Sequence, residues 1–415
     1  MKFIADFHIH SKYSRATSRE MELENMDKWA FLKGIKVLGT GDFTHPEWFK
    51  EIKEKLEPTG TGLYKLKGES KGTLFLLTTE ISCIYSKKGR VRKIHILVFA
   101  PNFEAVEKIN ARLSLVGNLK ADGRPILGLD AREFVEIILN ICNNCLIVPA
   151  HLMTPWFSLF GSRSGFDSLN ECFEDYSKYI FAGETGLSAD PSMLWRIKDA
   201  REMCLISNSD AHSLTKIGRE ANVFDTELSY DAILEAIKTR DKSKFLYTIE
   251  FFPEEGKYHY DGHRLCGVRL SPEESKKYNN LCPRCAKPLT LGVLNRVEQL
   301  SDKPVGFEPE DKIPFKKIVP LVEIIAEVEG TSSLTKTVQA EYFNLISKLG
   351  PEFKILLDIP FEELKENIKP ELAQAILRVR EGDLKIEPGY DGVFGKVRIF
   401  SKERSQDLIR QETLF

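Results

Sequence analysis

Lys2-Phe3-Ile4-Ala5-Asp6-Phe7-His8-Ile9-His10 opens the chain, and its reading decides the fold. The apolar residues up to Phe7 make a short strand. Residues two apart on a strand face the same way, so His8 and His10 leave its end side by side. Six further runs rich in Val, Ile, Leu and Phe read as strands, at residues 37–40, 74–79, 94–100, 145–149, 179–182 and 204–207. Between them, residues 21–33, 47–55, 131–142 and 230–239 carry helical spacing. Strands alternating with helices predict an α/β fold with a parallel sheet, open or closed into a barrel. Such folds place their chemistry at the carboxyl ends of the strands.

The chain has 415 residues, which suggests two or three domains. Its apolar fraction of 42% excludes a disordered chain. No run reaches the ~18 apolar residues of a membrane span, and the N-terminus lacks the apolar stretch of a signal peptide. A cytoplasmic protein is expected. With 59 basic against 61 acidic side chains, an all-over basic nucleic-acid binder is excluded. A local basic groove is not, because binding follows the field at the contact surface. Eight Cys in this length are no disulfide framework.

Around residues 253–264 the texture changes to Pro, Glu, Gly, Tyr and His. Helical spacing returns at 333–349 and at 370–380, the latter with Pro370 at its start and Gly382 beyond its end. The expected division is a catalytic barrel at 1–252, a zinc-binding module at 253–300, a helical DNA-binding domain at 301–400 and a mobile tail at 401–415.

The predicted strand ends collect chemistry. The first ends at His8 and His10, the second at Gly41-Asp42-Phe43-Thr44-His45, the third at Thr79-Glu80. The fifth ends at Ala150-His151, the sixth at Gly183-Glu184, the seventh at Asp210-Ala211-His212, and His95 lies within the fourth. One such His is ordinarily a hydrogen-bonded core residue. Six of the chain's eight in these places call for clustered metals. Imidazoles with bridging carboxylates suit Zn²⁺, Mn²⁺ or Fe²⁺ better than Mg²⁺. Two or three such ions lower the pKa of a bound water towards ~7 and stabilise both oxygens of a phosphoryl displacement. Metal-dependent hydrolysis of a phosphoester is expected.

Over residues 1–250 these motifs resemble the PHP (polymerase and histidinol phosphatase) family, whose fold is a distorted seven-stranded β/α barrel with a trinuclear metal site. The resemblance implies one ion on His8, His10, Glu80 and Asp210, and a second on Glu80, His95 and His151. A third would fall to His212 with a His from the second strand end. That His stands two residues late here, which leaves Asp42 or His45 for the role. The family's further early His is replaced by the segment Ser11-Lys12-Tyr13-Ser14-Arg15. Asp190, after the sixth strand, is a candidate acid/base or metal contact.

A second metal signal is His263-Arg264-Leu265-Cys266, fifteen residues, then Cys282-Pro283-Arg284-Cys285. It fits a two-knuckle zinc ribbon with one Cys replaced by His, and four such ligands suit a closed structural Zn²⁺. His259 competes with His263 for the fourth place. Cys142-Asn143-Asn144-Cys145 has no second pair beside it and reads as two packed cysteines.

Lys87, Lys88, Arg90, Arg92 and Lys93 gather five cations in seven residues before His95. They read as a solvated turn or as phosphate contacts. After His151, the aromatic stretch with Trp156, Phe157, Phe160 and Arg163 is either a loop packed on the barrel or a platform for an extruded base. The order of barrel, ribbon and helical part resembles the endonuclease Q family of archaeal type. That resemblance implies nicking of DNA 5′ of deaminated bases (uracil, hypoxanthine, xanthine), with abasic sites as a further class, after the base is flipped out. A small-molecule phosphatase and a non-catalytic DNA-binding scaffold are the alternatives. Gln411, Leu414 and Phe415 read as the start of a sliding-clamp-binding motif or as a plain tail. A monomer is expected.

Overall fold

The computed structural model describes residues 1–400. The expectations for the 401–415 tail, including Gln411, Leu414 and Phe415, lie outside the described residues. No helix among those described is long and apolar enough to cross a membrane. The chain divides into two compact units: Met1–Glu250 with Val293–Lys316, and Phe251–Gly292 with the chain from Lys317 onward.

In the first unit, β1 (Lys2–Asp6), β2 (Val37–Gly39) and β3 (Leu74–Lys87) lie parallel. β4 (Arg90–Ala100) then runs antiparallel to β3, and β5 (Leu146–Pro149) antiparallel to β4. β6 (Ala182–Glu184) and β7 (Cys204–Ile206) form a parallel pair. The circuit continues through Leu152 N donating to Glu184 O at 2.9 Å and a parallel bridge from Ile9 to Ala211. These seven strands make the distorted α/β barrel. The expected all-parallel sheet is corrected at one place, β4. Lys88 and Gly89 both adopt positive φ (53° and 73°), which closes a two-residue hairpin. A parallel return would need a crossover of a dozen residues or more. Both strands consume the segment that sequence spacing leaves as a connection.

β8 (Ala221–Asp225) and β9 (Phe245–Glu250) extend the sheet from β1, antiparallel to it and to each other in turn. The core behind them holds Phe3, Phe7, Val37, Leu97, Phe99, Val148 and Phe224. Around the barrel lie α1 (Leu23–Lys33), α2 (Pro46–Lys55), α3 (Phe103–Leu113), α4 (Ala131–Ile141) and α5 (Tyr230–Thr239). Side chains cap four of them: His45 on α2, Asn102 on α3, Asp130 on α4 and Ser229 on α5.

α6 (Val293–Leu300) belongs to this unit, where the expected division assigns all of it to the zinc module. Arg296 explains why: its guanidinium donates to Phe160 O and Phe166 O, each at 3.0 Å, and to Asp167 at 2.6 Å.

The second unit holds a hairpin of β10 (Asp261–His263) and β11 (Val268–Leu270). Its longer helices are α7 (Leu321–Val328), α8 (Lys336–Leu349), α9 (Phe361–Asn367) and α10 (Pro370–Glu381). Leu321, Ile324, Tyr342, Leu345, Leu372 and Ile376 are buried among them. Thr335 caps α8 and Gly382, at φ 71°, terminates α10.

Candidate metal centre

At the carboxyl end of the barrel two groups of side chains converge. The first is His8, His10, Glu80 and Asp210; the second is Glu80, His95 and His151. In the first, His10 Nε2 lies 3.1 Å from Asp210 Oδ1 and 3.3 Å from Glu80 Oε2. His8 Nε2 lies 3.5 Å from each of the same oxygens. In the second, Glu80 Oε1 lies 2.8 Å from His95 Nδ1 and 3.1 Å from His151 Nε2. Glu80 therefore turns one oxygen to each group, as a bridging carboxylate would. Ligand atoms ~2 Å from a tetrahedral ion are about 3.3 Å apart, close to these spacings.

The site fits cations on its own evidence. His8 Nε2, His10 Nε2 and Asp210 Oδ1 are buried, and among the described residues none has a hydrogen-bond partner. Each orphaned group of this kind costs about 1–3 kcal/mol. Three of them facing one another make sense when a cation satisfies all three. The remaining ring nitrogens are held. His8 Nδ1 sits 3.0 Å from Glu184, and His10 Nδ1 sits 2.9 Å from Asp42. A carboxylate behind a ligating His fixes its tautomer and orientation. Glu184 also accepts from His151 N and from Asn208 Nδ2, each at 2.9 Å.

The electrostatics agree. Burial opposes charge on Glu80, yet His95, Arg124 and His8 hold its pKa well below the usual carboxylate range. Burial also opposes charge on Asp210, and His8 and His10 overcome it. Burial pushes His95 down to about 4, which keeps its imidazole neutral as a ligand requires. Asp42, His151 and Asp210 adopt φ of 50°, 31° and 46°, strained for non-glycine residues. Gly186 must be glycine: at φ 64°, a Cβ there would lie 2.5 Å from His151 Cβ.

Three residues expected at a third ion do not come together. Asp42 is held by hydrogen bonds: Oδ1 meets His10 Nδ1, and Oδ2 accepts from Ser11 N, Ser11 Oγ and Ser14 Oγ. From there it orients the His10 imidazole. His45 Nδ1 accepts from Trp48 N to cap α2, and its ring stacks on Tyr13 at 4.4 Å. His212 Nδ1 lies 2.9 Å from the Asp210 carbonyl. Asp190 is placed at a helix start: its carboxylate accepts from Ser192 Oγ and Met193 N, capping a short helix at Pro191–Leu194. Sequence reading missed Glu184 as an orienting group, although its place at a strand end was the available signal. Arg124, whose Nη1 donates to Glu80 Oε2 at 3.1 Å, sits in a loop without periodicity and gave none.

In the second unit, His263, Cys266, Cys282 and Cys285 form one group, with His263 Nδ1 3.5 Å from Cys285 Sγ. His263 holds the fourth place, and His259 is buried and stacked on Tyr260. Backbone N–H groups of Arg284 and Cys285 outweigh burial and pull Cys282 down to about 7, towards the thiolate that binds zinc.

The expected DNA contacts divide. Lys87 is tied to Glu174 at 2.8 Å and Asp130 at 3.3 Å. Arg92 is buried, bonded to the Gly165 carbonyl and stacked over Phe166. Phe160 is fully buried and offers no platform. Lys88, Arg90 and Arg163 are exposed. Trp156 is 49% exposed under Lys93, while Phe157 lies 4.7 Å from the His95 ring.

Residues 193–241 match the PHP-associated family model, and residues 320–383 match the MJ0043 C-terminal domain. The crystal structure of a lesion-specific endonuclease, endonuclease Q from Pyrococcus furiosus, superimposes with a TM-score of 0.86 at 31% identity. That match covers 98% of this chain and 99% of that one. Endonuclease Q in complex with a 27-mer duplex substrate, with an abasic lesion at its active site, gives a TM-score of 0.83 at 31% identity over 97% and 98% of the two chains. The uncharacterized protein YqxK of Bacillus subtilis is 29% identical over 88% of this chain and 89% of its own. The uncharacterized protein MJ0043 of Methanocaldococcus jannaschii is 36% identical over 59% of this chain, which spans only 31% of that relative's length.

Proposed function

The chain belongs to the endonuclease Q family, and from that premise we propose that it is a metal-dependent DNA endonuclease cutting on the 5′ side of deaminated bases and abasic sites. One observation carries the chemistry: two buried ligand groups that share Glu80, with three ligand atoms left for a cation to satisfy. His8, His10, Glu80 and Asp210 would hold one divalent ion, and Glu80, His95 and His151 the other. A bound pair supplies Lewis acidity to the phosphoryl oxygens and a more acidic water. Asp42 and Glu184 keep the two strand-end imidazoles turned towards the ions.

The reaction consumes one water. Its oxygen bonds to phosphorus, the bond from phosphorus to O3′ breaks, and a proton passes to the departing oxygen. The products are a 3′-hydroxyl and a 5′-phosphate on the lesion nucleotide. A flipped base is the natural substrate form, because weak pairing lowers the unpairing penalty and so selects damage. Exposed Trp156 with Lys93 above it is the surface suited to stack a base and hold a phosphate. The assembled ligand groups speak against a degenerate, non-catalytic barrel.

The test is incubation of end-labelled duplex carrying one uracil, hypoxanthine or abasic site with Mn²⁺, Zn²⁺ or Mg²⁺. A single cut 5′ of the lesion is expected. Intact strands under all three ions, or release of phosphate from small monoesters alone, would sink the reading.

A further inference from the structure

We propose that Arg124 is a catalytic residue that stands in for a third cation, its guanidinium gripping a non-bridging oxygen of the scissile phosphate while the barrel holds two ions. The proposal deepens the phosphodiesterase reading and rests on it.

Three observations lead there. First, among the described residues the ligand atoms of the barrel close on two points, and the residues expected at a third do not join them in one group. Asp42 turns Oδ1 to His10 and Oδ2 to Ser11 and Ser14, His45 Nδ1 caps a helix, and His212 Nδ1 lies against a backbone carbonyl.

Second, the loop at residues 121–125 is built onto that spot. Gly123 N donates to Tyr13 O at 3.0 Å, and Ser82 N donates to Pro125 O at 3.0 Å. Asp122 Oδ1 accepts from Arg15 N at 3.2 Å and Arg124 N at 3.1 Å. A Cβ on Gly123 would lie 2.3 Å from both Asp42 Oδ2 and Ser14 Oγ, so only glycine lets the loop lie directly on Asp42.

Third, the seated loop delivers Arg124 to the shared carboxylate. Nη1 meets Glu80 Oε2, the oxygen that faces His8 and His10, and the side chain keeps 25% of its surface exposed. A guanidinium has five donors and stays charged at any working pH. Here one donor is committed to Glu80 among the described residues.

Charge balance favours the same arrangement. Glu80, Asp210, Asp42 and Glu184 supply four negative charges around the ligands, which two divalent ions neutralise. Arg124 then leaves one positive charge for a phosphodiester, which carries one negative. A third divalent ion would crowd a permanent cation. As water adds to phosphorus and the O3′ bond breaks, charge builds on the non-bridging oxygens, where a fixed guanidinium acts most strongly.

The experiment combines metal counting with kinetics on the full-length holoprotein. Elemental analysis of the wild type reconstituted with Mn²⁺ should give two barrel ions beside the module zinc. Three barrel ions would overturn the proposal. Arg124→Ala should lose on the order of 10²–10³ in single-turnover rate, bind lesion duplex within about threefold of wild type, and regain part of its rate from added guanidinium ion. It should hold two barrel ions, or accept a third in the vacated place. An unchanged rate, or a fall to one barrel ion, would overturn the catalytic role. Should Arg124→Ala fail to fold, Arg124→Lys carries the test, with full metal content and a rate lowered at least tenfold. Bis(p-nitrophenyl) phosphate serves as a second substrate. If wild type cuts it but no lesion DNA, the lesion reading fails while Arg124 is still tested.

Discussion

The chain builds two metal-binding groups in opposite ways. In the barrel, ligands come from His8 to Asp210, so the fold must exist before they meet. In the module, four ligands lie within His263–Cys285 on two short knuckles, so a metal can meet them before much else forms. The barrel set is nitrogen and oxygen with a shared carboxylate and carboxylates behind its imidazoles. The module set is mostly sulfur, and hydrogen bonding with Cys285 pushes the Cys266 thiol up to about 11. The first is a site that a fold assembles for chemistry; the second is a site that assembles a fold.

Replacing ligands should break this contrast apart. His8→Ala or Asp210→Ala should lower lesion cleavage ~10³-fold or more, since metal stabilisation of phosphoryl charge is worth several kcal/mol. Single-turnover nicking and a thermal melt check it, with the melt near wild type. Cys282→Ala should do the reverse, releasing zinc and exposing the module to protease. Its stability should fall by several of the ~10–16 kcal/mol that structural zinc supplies. Cleavage surviving His8→Ala, or an unchanged melt for Cys282→Ala, would erase the distinction.

Smaller changes sharpen it. Asp42→Ala should weaken metal binding at the barrel about 10–100-fold and leave module zinc alone, measured by competitive chelation. Lys88→Ala should change neither metal site. It should reduce the slope of log affinity against log salt by about 1 if the hairpin contacts a phosphate.

Much of the barrel was legible because strand-end histidines are rare enough to be informative together. His8, His10, Glu80, His95, His151 and Asp210 all meet where strand periodicity puts them. The module was legible because knuckle spacing is local. What escaped was set by tertiary contact. The β3–β4 hairpin hides in a charged stretch that lacks strand alternation at its turn. The hold of Asp42 on His10, and of Ser11 and Ser14 on Asp42, shows only once the loop is folded. Lys87 and Arg92 read as free cations until Asp130, Glu174 and Phe166 claim them. Arg124 acts from a loop whose position depends on one glycine resting on Asp42.

The most direct measurement is nicking of a uracil duplex by protein stripped of barrel ions with a mild chelator, module zinc retained, as Mn²⁺ is titrated back. The account predicts no cutting at zero Mn²⁺ and a single cut 5′ of uracil that grows with barrel occupancy, at constant secondary structure. Full cutting by the stripped protein, or none at full occupancy, would contradict it.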